Sequence, residues 1–136
     1  MIRLAKAHWE GSGKEGKGHL TSDSEVLNET PYNFRTRFED EKGTNPEELV
    51  AAALAGCFTM KLSFDLGAAG FTPSAIDTKA GVKLENGSID HITLHLQATV
   101  PGCTKEEFET IAQKSKAECP ISKLYKAEVT LEAHLV

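Results

Sequence analysis

The run LVAAALAGCF, residues 49–58, constrains the fold of this chain more than any other stretch. Ahead of it stand Asn45, which can cap a helix, Pro46, which suits the first helical position, and Glu47 and Glu48, which favour the positive end of a helix dipole. The segment reads as a helix running to about Leu66, roughly 30 Å long at 1.5 Å per residue. A helix that is apolar nearly all round belongs in the centre of a structure. Its small residues, Ala51, Ala52, Ala53, Ala55 and Gly56, would let another backbone come close. Gly70 and Pro73 close the segment. Lys61 and Asp65 interrupt the best candidate for a membrane-length apolar run, and MIRLAKAHWEG lacks a signal-peptide core. The expectation is a cytoplasmic protein that does not enter a membrane.

Around this helix the chain alternates short strands and turns. Residues 2–10 and 19–27 read as strands joined by GSGKEGKG. That loop nearly spells a phosphate-binding motif, with Gly11, then four residues, then Gly16-Lys17. The next residue is Gly18 where Ser or Thr should be, and no helix follows, so a structural turn is expected. Residues 33–40, NFRTRFED, alternate Phe34, Thr36 and Phe38 with Arg35, Arg37 and Glu39, as a short strand would. Residues 75–84 and 89–100 are further strands. The second has Ile92, Leu94, Leu96, Ala98 and Val100 on one face, and the Asn-Gly of ENGS signals a hairpin between the two. Thr104 and Glu107 form a capping box for a second helix with the stripe Phe108, Ile111, Ala112, Ser115 and Cys119. Pro120 interrupts it, a short turn follows, and AEVTLEAHLV makes a last strand. Strands, a long helix, two strands, a helix and a strand describe an α+β chain, and 136 residues suit one domain over 1–136.

The net charge of −5, with no basic stripe, argues against a nucleic-acid partner. His91 and His95 have a spacing that chelates on a helix, but on a strand they stand about 13 Å apart. His8, His19 and His134 have no ligand spacing, and no CxxC supports a zinc site. That leaves the three cysteines. In a reducing compartment they are not a disulfide scaffold. Cys57 lies deep in the central helix, Cys119 ends the second helix's stripe, and Cys103 lies in the turn VPGCTK. Packing is the ordinary role of a buried thiol. A nucleophile held in a dry pocket is the alternative, and a nearby arginine such as Arg37, steadied by a glutamate, would favour its thiolate.

TRFEDEKGTNPEELVAAALAGCFTMKLS and the later CPISKLYKAEVTLEAHLV resemble the osmotically inducible protein C / organic hydroperoxide resistance (OsmC/Ohr) family. AHWEG…GKG and GFTPSAIDT resemble its OsmC branch. The motifs that carry the resemblance are NPEE, a cysteine ten residues after the first of those glutamates, and a distant Cys-Pro. The resemblance spans nearly the whole chain. It implies an intertwined homodimer with antiparallel sheets wrapped around two long central helices. It also implies a thiol-dependent peroxidase that reduces organic hydroperoxides and hydrogen peroxide to alcohol and water. Carried over residue by residue, Cys57 matches the peroxidatic cysteine and Cys119 the resolving one. Arg37 matches the arginine that pairs with the thiolate, and Glu47 the glutamate that orients it. Cys103 matches no family role. The implied cycle needs no metal, haem or flavin, only an external dithiol, by analogy with the Ohr branch a lipoylated protein. Phe58 and Met60 are the candidates for an apolar lining that would suit bulky alkyl peroxides.

Helix geometry adds a constraint of its own. Ten residues separate Glu47 from Cys57, about 15 Å on one straight helix, too far for a site bridged by a single arginine. Either the helix breaks after its first turn, or the Glu and the Cys of one site come from different chains. Two rival readings remain. One is a Cys-His hydrolase or acyl transferase, for which no histidine has a context pointing to Cys57. The other is a non-catalytic dimer that binds an apolar ligand and keeps its cysteines for packing.

Overall fold

The glycine-lysine loop turns the chain between β1 (Ala5–Glu10) and β2 (Lys17–Ser22), which pair antiparallel from Ala5 opposite Ser22 to Glu10 opposite Lys17. Glycine is needed at its far side. A Cβ on Gly16 would meet the Ser12 carbonyl at 2.3 Å, and one on Gly18 the His8 carbonyl at 2.4 Å. β3 (Thr30–Asn33) joins β2 antiparallel, giving the order β1-β2-β3. This computed structural model describes residues 1–136 and divides them into two units, Met1–Leu49 and Val50–Val136.

Residues 33–40 do not form the expected strand. Phe34–Phe38 is a short helix, α1. Its start explains the difference: the Asn33 side chain accepts the Thr36 N–H at 2.9 Å, and the Thr36 hydroxyl accepts the Asn33 N–H at 2.9 Å. This reciprocal cap satisfies two backbone donors locally and overrides a weak alternation. Asn45 Nδ2 donates to the Thr36 carbonyl at 3.1 Å and secures the other end. Arg37 therefore projects from a helix.

The long helix α2 (Pro46–Ala68) begins as its sequence requires, with the Glu48 N–H on Asn45 Oδ1 at 2.8 Å. It ends through Gly70, at φ +90°, where the Phe71 N–H returns to the Leu66 carbonyl at 2.9 Å. It is unbroken between those points.

In the second unit β4 (Ala75–Val82) and β5 (His91–Thr99) form an antiparallel pair. Between them the chain turns at Asn86 and Gly87, at φ 51° and 77°, with Glu85 and Ser88 exchanging backbone hydrogen bonds. The capping box of α3 (Lys105–Glu118) forms as expected, with the Glu107 N–H on the Thr104 hydroxyl at 3.2 Å. α4 (Pro120–Leu124) follows, and β6 (Glu128–Leu135) lies beside β5 in the order β4-β5-β6. This last pair is parallel, where antiparallel sheets were expected. The α3–α4 crossover brings the chain back in the direction β5 began, which a tight turn could not do.

The core of this unit joins one stripe of α2 to the inner face of β5 and to α3. Leu54, Phe58, Leu62 and Leu66, four residues apart, are fully buried, as are Leu94 and Phe108. The opposite face of α2 departs from the central placement expected of it. Ala52, Ala53 and Gly56 are exposed there, and Met60 and Phe64 keep 65% and 71% of their surface open. Despite Lys61 and Asp65, α2 is long and apolar enough to cross a membrane by length and composition. Half of an apolar helix thus lies uncovered in the single chain, a face that monomeric proteins seldom leave open.

Candidate functional site

Each unit carries its own group of the residues singled out from the sequence. In the second, α2 supplies Cys57 and the α3–α4 junction supplies Cys119, which caps the end of α3 directly before Pro120. Proline at the first position of α4 stops α3 at Cys119, whose side chain stays in the core beside Phe108 and Ala112 of the α3 stripe. The two sulfurs lie 2.7 Å apart, with the Cys119 thiol directed at Cys57 Sγ, and both thiols are free. Cys119 is fully buried, while Cys57 keeps some access to solvent.

Burial pushes the Cys57 thiol above its ordinary range, and the neighbouring Cys119 sulfur pushes it further. A hydrogen bond from the Ile121 backbone N–H opposes both without reversing them. None of the groups acting on the Cys57 thiol is a cation. A reactive thiolate here needs positive charge from elsewhere.

The first unit holds an ion pair of its own. Arg37 Nε donates to both carboxylate oxygens of Glu47, at 3.0 and 3.2 Å, and Nη2 donates to Oε1 at 2.7 Å. Capping places both partners, because Asn33 nucleates α1 and Asn45 opens α2, with Glu47 in its first turn. Burial pushes the Glu47 carboxyl up, but the bonds from Arg37 outweigh it and hold it below the usual carboxylate range. The pair is therefore ionised at neutral pH. The guanidinium also lies over the Phe38 ring, 5.1 Å from its centre, and the Arg37 side chain keeps 39% of its surface exposed. The arginine is fixed in direction yet still open to a further partner.

The other residues named from sequence fall elsewhere. The Phe58 ring is enclosed in the core. Met60 lines an open groove with Ala55, Gly56, Thr59 and Ile76. Cys103, half-buried in its turn, has its thiol on the Thr104 carbonyl at 3.5 Å and apart from the other two sulfurs. Sequence reasoning missed Tyr125. Burial raises its phenol, with the Cys119 and Cys57 sulfurs adding to the shift, and its hydroxyl donates to the Val50 carbonyl at 3.4 Å. A tyrosine just after a short helix carries no periodic signal, so only the fold could reveal that it stands near both thiols.

Comparison with known proteins adds the family. The family model for OsmC-like protein matches residues 39–134. The chain is 53% identical over 137 residues to the protein named peroxiredoxin OsmC of Escherichia coli (strain K12), covering 98% of this chain and 96% of that one. It is 32% identical over 98 residues to the organic hydroperoxide resistance protein of Xanthomonas axonopodis pv. citri (strain 306), covering 64% of this chain and 63% of that one. Among solved structures, the OsmC-like protein from Mycoplasma pneumoniae matches with a TM-score of 0.79 at 14% identity, over 100% of this chain and 98% of that one. The organic hydroperoxide resistance protein OhrB of Bacillus subtilis matches at 0.68 and 24%, over 98% of each chain.

Proposed function

We propose that this chain, which belongs to the OsmC-like protein family, is a thiol peroxidase that reduces organic hydroperoxides through Cys57 and Cys119. The observation that carries this reading is the 2.7 Å approach of two free thiols from distant parts of the chain. The names of the similar proteins, peroxiredoxin and organic hydroperoxide resistance protein, point to the same peroxide-related redox role.

The Cys57 thiolate attacks the terminal oxygen of the peroxide, ROOH. The O–O bond breaks, Cys57 becomes a sulfenic acid, and the departing alkoxide takes a proton to leave as alcohol. The Cys119 thiol then attacks the sulfenic sulfur, forming the Cys57–Cys119 disulfide and expelling water. An external dithiol returns both sulfurs to thiols by exchange. Arg37 favours the thiolate and stabilises the charge that develops on the leaving oxygen, and Glu47 holds its guanidinium in place. Neither metal nor organic cofactor takes part. The apolar core packed against Cys57 favours alkyl peroxides over hydrogen peroxide.

Because α2 is unbroken from Pro46 to Ala68, a break after its first turn cannot bring Glu47 to Cys57. The remaining arrangement has the Arg37–Glu47 pair of one chain complete the thiol site of its partner. The uncovered face of α2, with Ala52, Ala53 and Gly56 at its middle, suits close contact between two such helices. The protein is thus an obligate homodimer, and the two units of each chain work as one OsmC-like domain. Sedimentation at micromolar concentration should give a dimer; a folded monomer would contradict the shared site.

Turnover tests the activity itself. Cumene hydroperoxide should be consumed catalytically with dihydrolipoamide as the reductant, and more slowly with thioredoxin. Hydrogen peroxide should be the poorer oxidant. Absence of turnover with either reductant, together with unreacted thiols, would favour the non-catalytic reading.

A further inference from the structure

Four polar side chains that the cycle above does not use meet where α2 and α3 pack together. On α2, Lys61 and Asp65 follow Cys57 at four-residue steps, so all three share one face of the helix. On α3, Ser115 is one turn before Cys119, and Glu118 directly precedes it. The Ser115 hydroxyl donates to Asp65 Oδ2 at 2.7 Å. Lys61 Nζ donates to Asp65 Oδ1 at 2.5 Å and lies 3.2 Å from Glu118 Oε2. The Ser115 carbonyl in turn accepts the Cys119 N–H at 2.9 Å. A continuous chain of hydrogen bonds and ion pairs thus runs from the helix of one sulfur to the backbone of the other.

This arrangement is poorly suited to stability alone. Ser115 is fully buried and the Asp65 side chain keeps 14% of its surface exposed. Burial pushes the Asp65 carboxyl up, and the bonds from Lys61 and Ser115 outweigh it and hold it below the usual carboxylate range. Apolar side chains of similar size would bury there without desolvating a charge. A polar cluster with directional bonds supplies register instead, because it satisfies its groups in only one helix-to-helix alignment.

We propose that Asp65, acting through Ser115, Lys61 and Glu118, is a positioning residue that keeps Cys119 aligned to trap the Cys57 sulfenic acid. This inference rests on the peroxidase reading. The trapping step forms one S–S bond and releases water, and it competes with a second peroxide, which would carry Cys57 on to sulfinic acid. Its rate depends on how well the Cys119 sulfur is aligned. Misplacing a reacting group by about 1 Å can cost up to about 100-fold. Attack of Cys57 on the first peroxide does not involve Cys119 and should not depend on the cluster.

The test separates the two steps. Parent, Asp65→Ala, Asp65→Asn and Ser115→Ala proteins are mixed rapidly with cumene hydroperoxide. Consumption of the peroxide, formation of the disulfide and sulfinic acid by mass are followed separately. In Asp65→Ala, disulfide formation should slow by roughly 10- to 100-fold at an unchanged rate of the first step, with sulfinic acid accumulating. Asp65→Asn keeps an acceptor for Ser115 and should recover part of the rate. Ser115→Ala removes one hydroxyl and carries the same readout if Asp65→Ala does not fold. Disulfide formation at the parent rate in both alanine variants would overturn the proposal. So would equal slowing of both steps, which would make the cluster a general stabiliser. A parent protein that forms no disulfide would overturn the peroxidase reading, and this inference with it.

Discussion

Replacing Cys57 by serine is expected to lower the rate of peroxide reduction by about 10³-fold or more, because a hydroxyl at neutral pH cannot replace a thiolate as nucleophile. The pattern across the three cysteines matters as much as the size of the loss. Cys119→Ser should still consume one equivalent of peroxide, since it retains the Cys57 nucleophile. It should then stall as a sulfenic acid and pass to sulfinic acid when peroxide is in excess. Cys103→Ser should behave as the parent, because its thiol is bound to the Thr104 carbonyl and takes no part in the pair. A stopped-flow peroxide assay with mass analysis of the trapped protein separates the three. Equal activity in all three variants would mean that the 2.7 Å approach of the sulfurs is packing.

Arg37→Met should cost about 10²- to 10³-fold at neutral pH, since the proposed cycle uses Arg37 both to favour the thiolate and to stabilise the leaving oxygen. The pH dependence gives the sign. Burial and the Cys119 sulfur push the Cys57 thiol up, so without a cation the thiolate is scarce at neutral pH. The rate of the variant should therefore climb as pH rises towards the thiol's raised range, with its acid limb displaced to higher pH than in the parent. A loss with no displacement would assign Arg37 to the leaving oxygen alone. The same variant tests which chain supplies it. When Arg37→Met and Cys57→Ser chains are unfolded and refolded together, a mixed dimer with shared sites has one intact site. Random pairing in a two-fold dimer then restores about a quarter of the parental activity. Sites built within one chain would stay inactive in the mixture.

How far the sequence revealed this molecule depended on whether the signal was local. The caps of α2 and α3 were legible because Asn45, Pro46, Thr104 and Glu107 act within four residues of themselves: Asn45, Thr104 and Glu107 make the expected bonds, and Pro46 opens α2. The alternation of β5 was legible for the same reason, with Ile92, Leu94, Leu96 and Ala98 all buried. The segment after Asn33 misled because its alternation of Phe34, Thr36 and Phe38 also fits one helical turn, and only the Asn33–Thr36 cap decides between them. The parallel pairing of β6 depends on a crossover through α3 and α4, which no property of AEVTLEAHLV encodes.

The pairing of Cys57 with Cys119 lay beyond periodicity too; the family motifs suggested it and the fold brings the sulfurs together. Lys61 and Asp65 read in sequence only as interruptions of an apolar run. Their spacing of four and eight residues from Cys57 was the signal, and it acquired meaning only once Ser115 was found opposite them. That half of α2 is uncovered was not legible either, since a sequence records that a helix is apolar all round but not which of its sides the rest of the chain buries.

Peroxide is expected to convert this thiol pair, and no other, into a disulfide. Reduced protein given one equivalent of cumene hydroperoxide, digested under non-reducing conditions and analysed by mass, should yield the Cys57 and Cys119 peptides joined, two thiols lost per chain, and Cys103 still free. Recovery of all three cysteines as free thiols would contradict it.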